Sequence, residues 1–175
     1  MIEKLDYIFE LESTKKYNEA YDLYQKRILK NNIEFNIWKY YFFFLWSMIE
    51  DFNGIFTKEI NLQTELESQL KNGLNKFSKL AEFNFIAGYA VCIFPSKFGD
   101  SEKMDIKGKE MLKKAYEMKP TNSIYKMTYL GSHVLNEIGQ DLYEKAYSES
   151  EQTLKTNYNG KGLLNEYFNE IFKFN

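Results

Sequence analysis

Apolar side chains recur at intervals of three and four residues along almost the whole chain, the spacing that places them on one face of an α-helix. The clearest stripe is Leu62, Leu66, Leu70 and Leu74, with charged positions such as Glu67 beside it. Only two prolines and nine glycines interrupt the 175 residues, and no hairpin signal joins two alternating β-branched runs. The pattern therefore predicts an all-α protein.

The periodicity predicts about nine helices joined by short connections. We place them near residues 2–12, 15–31, 34–51, 61–77, 80–93, 102–118, 122–139, 140–156 and 161–174. The third is apolar on nearly every side and is expected to be central, and Asp100 or Ser101 is expected to cap the sixth. Because no shift in composition marks a linker, we expect residues 1–175 to form one domain of stacked antiparallel α-hairpins.

The net charge of −2 and the single arginine, Arg27, argue against a nucleic-acid-binding protein, which normally presents a basic, arginine-bearing surface. Cys92 is the only cysteine, so no intramolecular disulfide forms, and its apolar surroundings predict a buried, inert thiol. The chain begins with acidic residues and lacks a signal-peptide pattern. Its longest apolar run, from Trp38 to Ile49, falls short of the roughly 20 residues of a membrane span. A cytoplasmic protein without membrane contact is expected.

The segment from Tyr17 through Ala20 to Tyr24 resembles the second helix of a tetratricopeptide repeat, in which small and large side chains alternate so that two helices pack closely. Arg27 and Asn32 stand where that family has a small residue and a proline. The same second-helix spacing occurs at Gly108, Leu112, Ala115 and Pro120, and its step from an aromatic residue to alanine occurs at Tyr143 and Ala146. The pairs Leu130–Gly131 and Ala87–Gly88 resemble the pair in the first helix of the repeat. The resemblance implies a tetratricopeptide-like or irregular α-solenoid that binds proteins or peptides on a concave face.

Candidate chemistry is sparse. His133 is the only histidine, and neither a nucleophile elbow nor any spacing connects it with Cys92. Metal binding needs more ligands than one histidine and one cysteine, and no phosphate-binding glycine motif is present. The Asn159–Gly162 segment is expected to be a plain turn, with anion binding at the following helix as the alternative. We therefore predict no catalytic residue, no cofactor and no metal, and expect His133 to bond locally beside Ser132.

Charged residues form two groups of interest. Five lysines lie on the predicted sixth helix: Lys103, Lys107, Lys109, Lys113 and Lys114. The simpler interpretation is a solvated helix face, and the alternative is a surface that binds an anionic partner. Carboxylates occur at Glu50–Asp51 and near the C-terminus, where they would attract a basic partner. Tyrosines near the C-terminus, including Tyr143 and Tyr167, are candidate anchors for that partner. The predicted partner-binding residues are Asp141, Glu144, Tyr147, Glu149, Glu151 and Tyr158.

These features predict a protein-binding module rather than an enzyme. In its most concrete form it resembles a bacterial immunity protein, which neutralises a cognate toxin, such as a basic nuclease domain, by covering it. The alternative is a repeat-type adaptor or chaperone that holds a peptide or a protein terminus in a groove lined by Asn, Lys and Tyr. An enzyme with an unrecognised site is the third hypothesis.

Overall fold

The computed structural model describes residues 3–29, 33–51 and 53–173, and within these ranges all regular secondary structure is helical. Ten α-helices and one 3-10 turn, Pro95–Lys97, follow one another without a strand in the described ranges. The helices are α1 (Glu3–Ser13), α2 (Tyr17–Ile28), α3 (Phe35–Ile49), α4 (Leu62–Phe77), α5 (Ala81–Ile93), α6 (Ser101–Met118), α7 (Ser123–Gly131), α8 (Glu137–Ser148), α9 (Ser150–Asn157) and α10 (Leu163–Ile171). The predicted all-α class is confirmed.

Four helices begin at a side chain that accepts a backbone N–H of the first turn. These N-cap residues, with the residues whose N–H they accept, are Asn61 with Thr64, Asp100 with Lys103, Asn122 with Tyr125 and Asn136 with Gly139. The distances lie between 2.9 and 3.1 Å. Each cap pairs an N–H that has no partner inside the helix. Of the two candidates at α6, Asp100 is therefore the cap and Ser101 the first helical residue.

Two predicted helices near the C-terminus differ from the structure. The helix predicted near 122–139 ends at Gly131, where the Ser132 hydroxyl donates to the carbonyl of Tyr129 at 2.7 Å. The helix predicted near 140–156 is divided at Glu149 into α8 and α9. There the buried Ser150 hydroxyl donates to the carbonyls of Tyr147 and Phe172. Serine side chains that take up backbone carbonyls accompany both breaks, and such bonds compete with regular helix bonding. The stop predicted at Asn31–Asn32 lies outside the described residues.

The core is built around α3, as its all-round apolar pattern predicts. Eight of its side chains are buried, and it packs against α2, α4, α5 and α10. Trp38 shows the character of this packing: its ring stacks on Phe42 at 4.8 Å, meets Phe83 at 5.0 Å, and its indole N–H donates to the Gln69 carbonyl at 3.0 Å. Buried hydrophobic residues from all ten helices belong to one cluster.

The most extensive helix–helix contact of the described chain joins α5 and α6, and Gly88 and Gly108 lie at it. A Cβ on Gly108 would lie 2.7 Å from the sulfur of Cys92, and one on Gly88 would lie 2.9 Å from the Cβ of Met111. Both glycines therefore let the backbones approach more closely than any larger residue permits.

The last helix, α10, returns to the beginning of the chain and packs against α3 and α1. Its entry residue, Gly162, has a φ of +99° and lies so close to Phe9 that a Cβ would come within 2.7 Å of that ring. In an open solenoid each repeat touches only its neighbours, whereas here the two ends of the described chain meet. Within the described residues, no helix combines the length and apolarity needed to cross a membrane.

Candidate functional site

The predicted partner-binding residues lie on α8, on α9 and in the turns at the ends of α9. Asp141, Glu144, Glu149 and Glu151 are all exposed. Glu151 pairs with Lys155 one helical turn away, at 2.6 Å, and this lysine lowers the pKa of Glu151. Glu144 accepts a hydrogen bond from Gln140 at 3.1 Å. The acidic residues are thus accessible, although Glu151 is already partly neutralised by its own helix.

The two predicted tyrosine anchors differ in accessibility. Tyr147 is half-buried, and its hydroxyl donates to the carbonyl of Lys173 at 3.0 Å. Tyr158 is only 1% exposed and packs edge-on against Phe168 at 5.1 Å between ring centroids. The prediction that Tyr158 is available to a partner is therefore wrong. It is a core residue, because the turn between α9 and α10 places it under the last helix.

Exposed apolar side chains accompany the acidic residues of α8. Ile138 and Leu142, one turn apart, are 72% and 40% exposed, and Val134 in the preceding connection is fully exposed. Beside this line runs an acidic stripe at spacings of four and three: Glu137, Asp141 and Glu144. We call these six residues the α8 surface. Like charges one turn apart weaken a helix, and none of the three carboxylates forms an ion pair within the described chain.

A second candidate region is a cleft of about 540 Å³ where the C-terminal end of α3 faces α10. Its walls include four aromatic side chains from distant parts of the sequence: Tyr17, Trp46, Phe94 and Tyr167. The ring of Trp46 lies 5.4 Å from that of Tyr167 and 5.5 Å from that of Phe94. The hydroxyls of Tyr167 and Tyr89 are hydrogen-bonded at 3.0 Å, which fixes this wall.

Four carboxylates line the same cleft, two from the end of α3 and two from α10: Glu50, Asp51, Glu166 and Glu170. No lysine or arginine among the described residues lines it. Asp51 is held in place, since its carboxylate accepts the backbone N–H groups of Asn53 and Phe56 at 3.3 and 2.8 Å. We call this region the acidic cleft.

The electrostatic effect of these carboxylates is visible at Tyr17. Partial burial raises the pKa of Tyr17, and the negative charges of Asp51, Glu12 and Glu166 raise it further. Asp51 and Glu166 come from opposite walls of the cleft, yet both act on this one hydroxyl. The negative potential of the cleft is therefore a joint property of its two walls.

The indole N–H of Trp46 has an unusual environment. Trp46 is 4% exposed and lines the acidic cleft, and its Nε1 has no hydrogen-bond partner within the described part of the chain. Trp38, the other tryptophan, satisfies its N–H through the Gln69 carbonyl. Buried polar groups are nearly always paired, so this buried N–H is an exception within the core.

The sequence predicts some residues of the acidic cleft as candidates, but no pattern in it indicates that they lie together. Glu50, Asp51 and Tyr167 stand out as acidic or aromatic candidates, but more than a hundred residues separate the two walls. Periodicity assigns residues to helix faces and carries no information about which distant helices meet. The return of α10 onto α3 creates the cleft, and only the tertiary structure shows it.

A second cavity, of about 420 Å³, adjoins the half-buried Cys92 and is lined also by Tyr143 and Phe172. Burial raises the pKa of the Cys92 thiol to about 11, with a further increase from the charge of Asp105. A thiol with such a pKa is almost wholly protonated at neutral pH. The raised pKa agrees with the predicted inert thiol, while the predicted burial of Cys92 is only partial.

His133 is bonded locally, as expected. It is exposed, and its Nδ1 lies 2.9 Å from the Ser132 hydroxyl and 3.0 Å from the Tyr129 carbonyl. Among the described residues, no group of three His, Cys, Asp or Glu side chains has the arrangement of a metal site. Three of the five lysines on α6 have acceptors within the described chain: Lys109 on Asp105, Lys113 on Glu117 and Lys114 on the Ser78 carbonyl.

Comparisons with protein-family models, with curated proteins and with solved structures find no significant match.

Proposed function

We propose that this protein binds another protein that is basic, and that its most concrete role is that of an immunity protein neutralising a cognate bacterial toxin, such as a basic nuclease domain. The support is the pairing of exposed apolar groups with uncompensated carboxylates. Apolar groups provide the favourable burial at an interface, and complementary charge accelerates the encounter and excludes wrong partners.

The α8 surface carries this proposal. Val134, Ile138 and Leu142 form an apolar line that no other part of the described chain covers, and Glu137, Asp141 and Glu144 border it. A scattered exposed leucine needs no explanation, but a line of apolar residues with a charged border has the anatomy of a binding site. The uniform sign of that border indicates a partner with a basic surface.

The repeat-type adaptor is the weaker alternative. It predicts a continuous groove lined by asparagine, lysine and tyrosine, whereas the acidic cleft combines aromatic residues with carboxylates and, among described residues, no lysine. In addition, α10 packs against α1 and α3, which differs from the open stacking that gives solenoids their long concave faces.

The test is complex formation with the product of the neighbouring gene. The two proteins are co-expressed, and their association is measured by size-exclusion chromatography and by binding kinetics. We expect a stable complex, and we expect the toxic effect of the neighbouring product on growing cells to disappear when this protein is present. Failure of that product to bind, together with no protection of cells, would contradict the proposal.

Charge-reversed variants locate the interface. Asp141→Lys with Glu144→Lys should slow association by about tenfold or more at low salt, because steering by complementary charge acts mainly on the association rate. The matched control is Glu10→Lys with Glu19→Lys, which makes the same change in net charge on exposed positions of α1 and α2. Equal slowing by both variants would show that only net charge matters and would remove α8 as the contact surface.

A further inference from the structure

Exposed lysines surround two exposed apolar side chains where the last turn of α6 meets the connection between α4 and α5. The apolar residues, Leu80 and Met118, are each 41% exposed. The lysines, all exposed, are Lys76, Lys79, Lys114 and Lys119. We call these six residues the basic end. Like the α8 surface, the basic end combines apolar side chains with charges of one sign, but that sign is opposite.

Hydrogen bonds hold the two parts of the basic end together. The Lys114 ammonium donates to the carbonyl of Ser78 at 2.7 Å, which connects α6 with the residues after α4. The buried amide of Asn84 donates to the carbonyl of Leu80 at 2.7 Å and lies 4.0 Å from the sulfur of Met118. The basic end is therefore one continuous surface, although its residues come from separate parts of the sequence.

The positive charge of the basic end is not neutralised within the described chain. None of its four lysines belongs to an ion pair there, and the carbonyl that accepts from Lys114 carries no charge. The carboxylates next to the basic end in sequence have other partners. Glu82 pairs with Lys39 at 2.7 Å, and Glu117 pairs with Lys113 at 3.8 Å. The basic end can therefore attract carboxylates from outside the molecule.

We propose that the basic end of one copy of this protein docks on the α8 surface of a second copy, so that the protein self-associates head to tail. Both surfaces offer apolar groups for burial, and the charges around those groups are of opposite sign. The α8 helix keeps an acidic excess, because it carries three carboxylates and one lysine, Lys145. The inference rests on the proposed function in taking the α8 surface as a docking site, and it names a second occupant of that surface.

The two surfaces lie apart in one molecule, which makes the contact intermolecular. Lys119 comes shortly before α7 and Val134 shortly after it, and the nine residues of α7 span about 13 Å at 1.5 Å per residue. No ion pair joins the two surfaces within the described chain. A contact between two different surfaces leaves one of each free at the ends of the assembly, so further copies can add to it.

An anionic membrane is the competing occupant of a lysine patch with exposed apolar groups. The second copy is favoured because the matching acidic and apolar surface is present on the same chain and at the same concentration. Each surface consists of six residues, fewer than the roughly 20–30 on each side of a stable interface. The self-association is therefore expected to be weak and to depend on salt.

The test is sedimentation velocity of the whole protein at concentrations from about 10 μM to about 1 mM. We expect the average sedimentation coefficient to increase with concentration at low salt. Between about 50 and 500 mM salt the association constant should decrease by about tenfold or more, because exposed charges are screened. Lys79→Glu with Lys119→Glu should decrease it by about tenfold at low salt, and so should Asp141→Lys with Glu144→Lys. All four positions are exposed, so the fold is expected to persist.

Two further variants separate the docking of specific surfaces from an effect of net charge. The four substitutions combined in one chain exchange the signs of the two surfaces and restore the net charge of the wild type, so most of the self-association should return. The matched control is Lys16→Glu with Lys26→Glu, which changes the net charge as the basic-end variant does, at exposed positions beside and on α2. This control should leave the association constant within about twofold of the wild type.

Three sedimentation results would overturn the inference: a coefficient that does not increase with concentration, equal weakening by both lysine variants, or no recovery in the fourfold variant. Binding to phosphatidylserine vesicles without self-association would assign the basic end to a membrane surface and would also overturn it. Because this protein is measured alone, a negative result leaves the complex with the neighbouring gene product intact. The Lys79→Glu and Lys119→Glu variant keeps the α8 surface and should still form that complex, and failure of the complex leaves the sedimentation result standing.

Discussion

The carboxylate of Glu12 in α1 accepts the backbone N–H of Leu163, the first residue of α10, at 3.0 Å and across 151 positions of sequence. Its other oxygen accepts the hydroxyl of Tyr24 at 2.8 Å. Glu12 is only 3% exposed. Burial raises the pKa of Glu12 to about 7; the hydrogen bonds from Leu163 and Tyr24 partly oppose this, and the charge of Glu166 adds to it. One buried acid thus joins the first and last helices.

This raised pKa makes stability depend on pH. A carboxyl that titrates near 7 in the folded state and near 4.5 when exposed binds protons more tightly in the fold. Its contribution is therefore fully present below pH 4.5 and is lost as the pH rises through 7. Between pH 5 and pH 8 we expect this group to reduce the free energy of unfolding by on the order of 2 kcal/mol, measured by urea denaturation.

Glu12→Gln isolates that contribution, since glutamine keeps the size of the side chain and does not titrate. In this variant the free energy of unfolding should decrease less between pH 5 and pH 8 than it does in the wild type. Glu10→Gln, at an exposed position of the same helix, should follow the wild-type pH profile. If wild type and Glu12→Gln show parallel profiles, the carboxyl does not titrate in this range and the prediction is wrong.

Stability is expected to be sensitive to the addition of a single methyl group at Gly108, where α6 contacts α5. A Cβ on Gly108 would lie 2.7 Å from the sulfur and 3.0 Å from the backbone nitrogen of Cys92, so the helices must separate. We expect Gly108→Ala to lower the free energy of unfolding by about 1–3 kcal/mol, even though alanine favours helix over glycine. Glu110→Ala, exposed on the same helix, should change it little; a stabilised Gly108→Ala variant would show that the contact is loose.

Local structure followed from the sequence, and the site did not. The apolar stripe that includes Leu66 and Leu70 predicted the buried face of α4, and the apolar sequence of α3 predicted that this helix is buried on nearly every side. Both predictions are possible because burial imposes a helical period on hydrophobic residues. The acidic cleft depends on α10 packing against α3, a contact between segments far apart in sequence that periodicity does not encode. The break at Ser150 was not predicted either, because the Ser150 hydroxyl bonds to the carbonyl of Phe172, which directly follows α10 and is distant in sequence.

The N-cap of α6 allows a matched pair of substitutions. Asp100 accepts the backbone N–H of Lys103 at 3.0 Å, whereas Ser101 is already the first helical residue. We expect Asp100→Ala to lower the free energy of unfolding by about 1 kcal/mol, and Asp100→Asn to restore most of it because asparagine is an equally good cap. Ser101→Ala should have little effect. A larger effect at Ser101 than at Asp100, in thermal or urea denaturation, would contradict the assignment of the cap.

Lys39 is the one charged interruption of the apolar α3 sequence between Trp38 and Ile49, and the structure gives its partner. Its side chain is 12% exposed, its Nζ lies 2.7 Å from the carboxylate of Glu82, and it lies 5.1 Å from the ring centroid of Tyr40. A double-mutant cycle with Lys39→Met and Glu82→Gln should give a coupling energy of about 1 kcal/mol. The exposed pair Lys155–Glu151 should give none that can be measured. Equal coupling in both pairs would mean that burial does not strengthen the Lys39–Glu82 pair.

The α8 surface should be dispensable for folding if its apolar residues serve a partner. Val134 is fully exposed and Ile138 is 72% exposed. The double substitution Val134→Ser with Ile138→Ser therefore removes almost no packing contacts from the fold. We expect the free energy of unfolding to stay within about 0.5 kcal/mol of wild type, while affinity for the partner decreases. Ala146→Ser, in the same helix but fully buried, should lower stability by about 1–3 kcal/mol because it places a hydroxyl in the core. Strong destabilisation by the surface pair would show that these residues support the fold, and the argument for an interface on α8 would then fail.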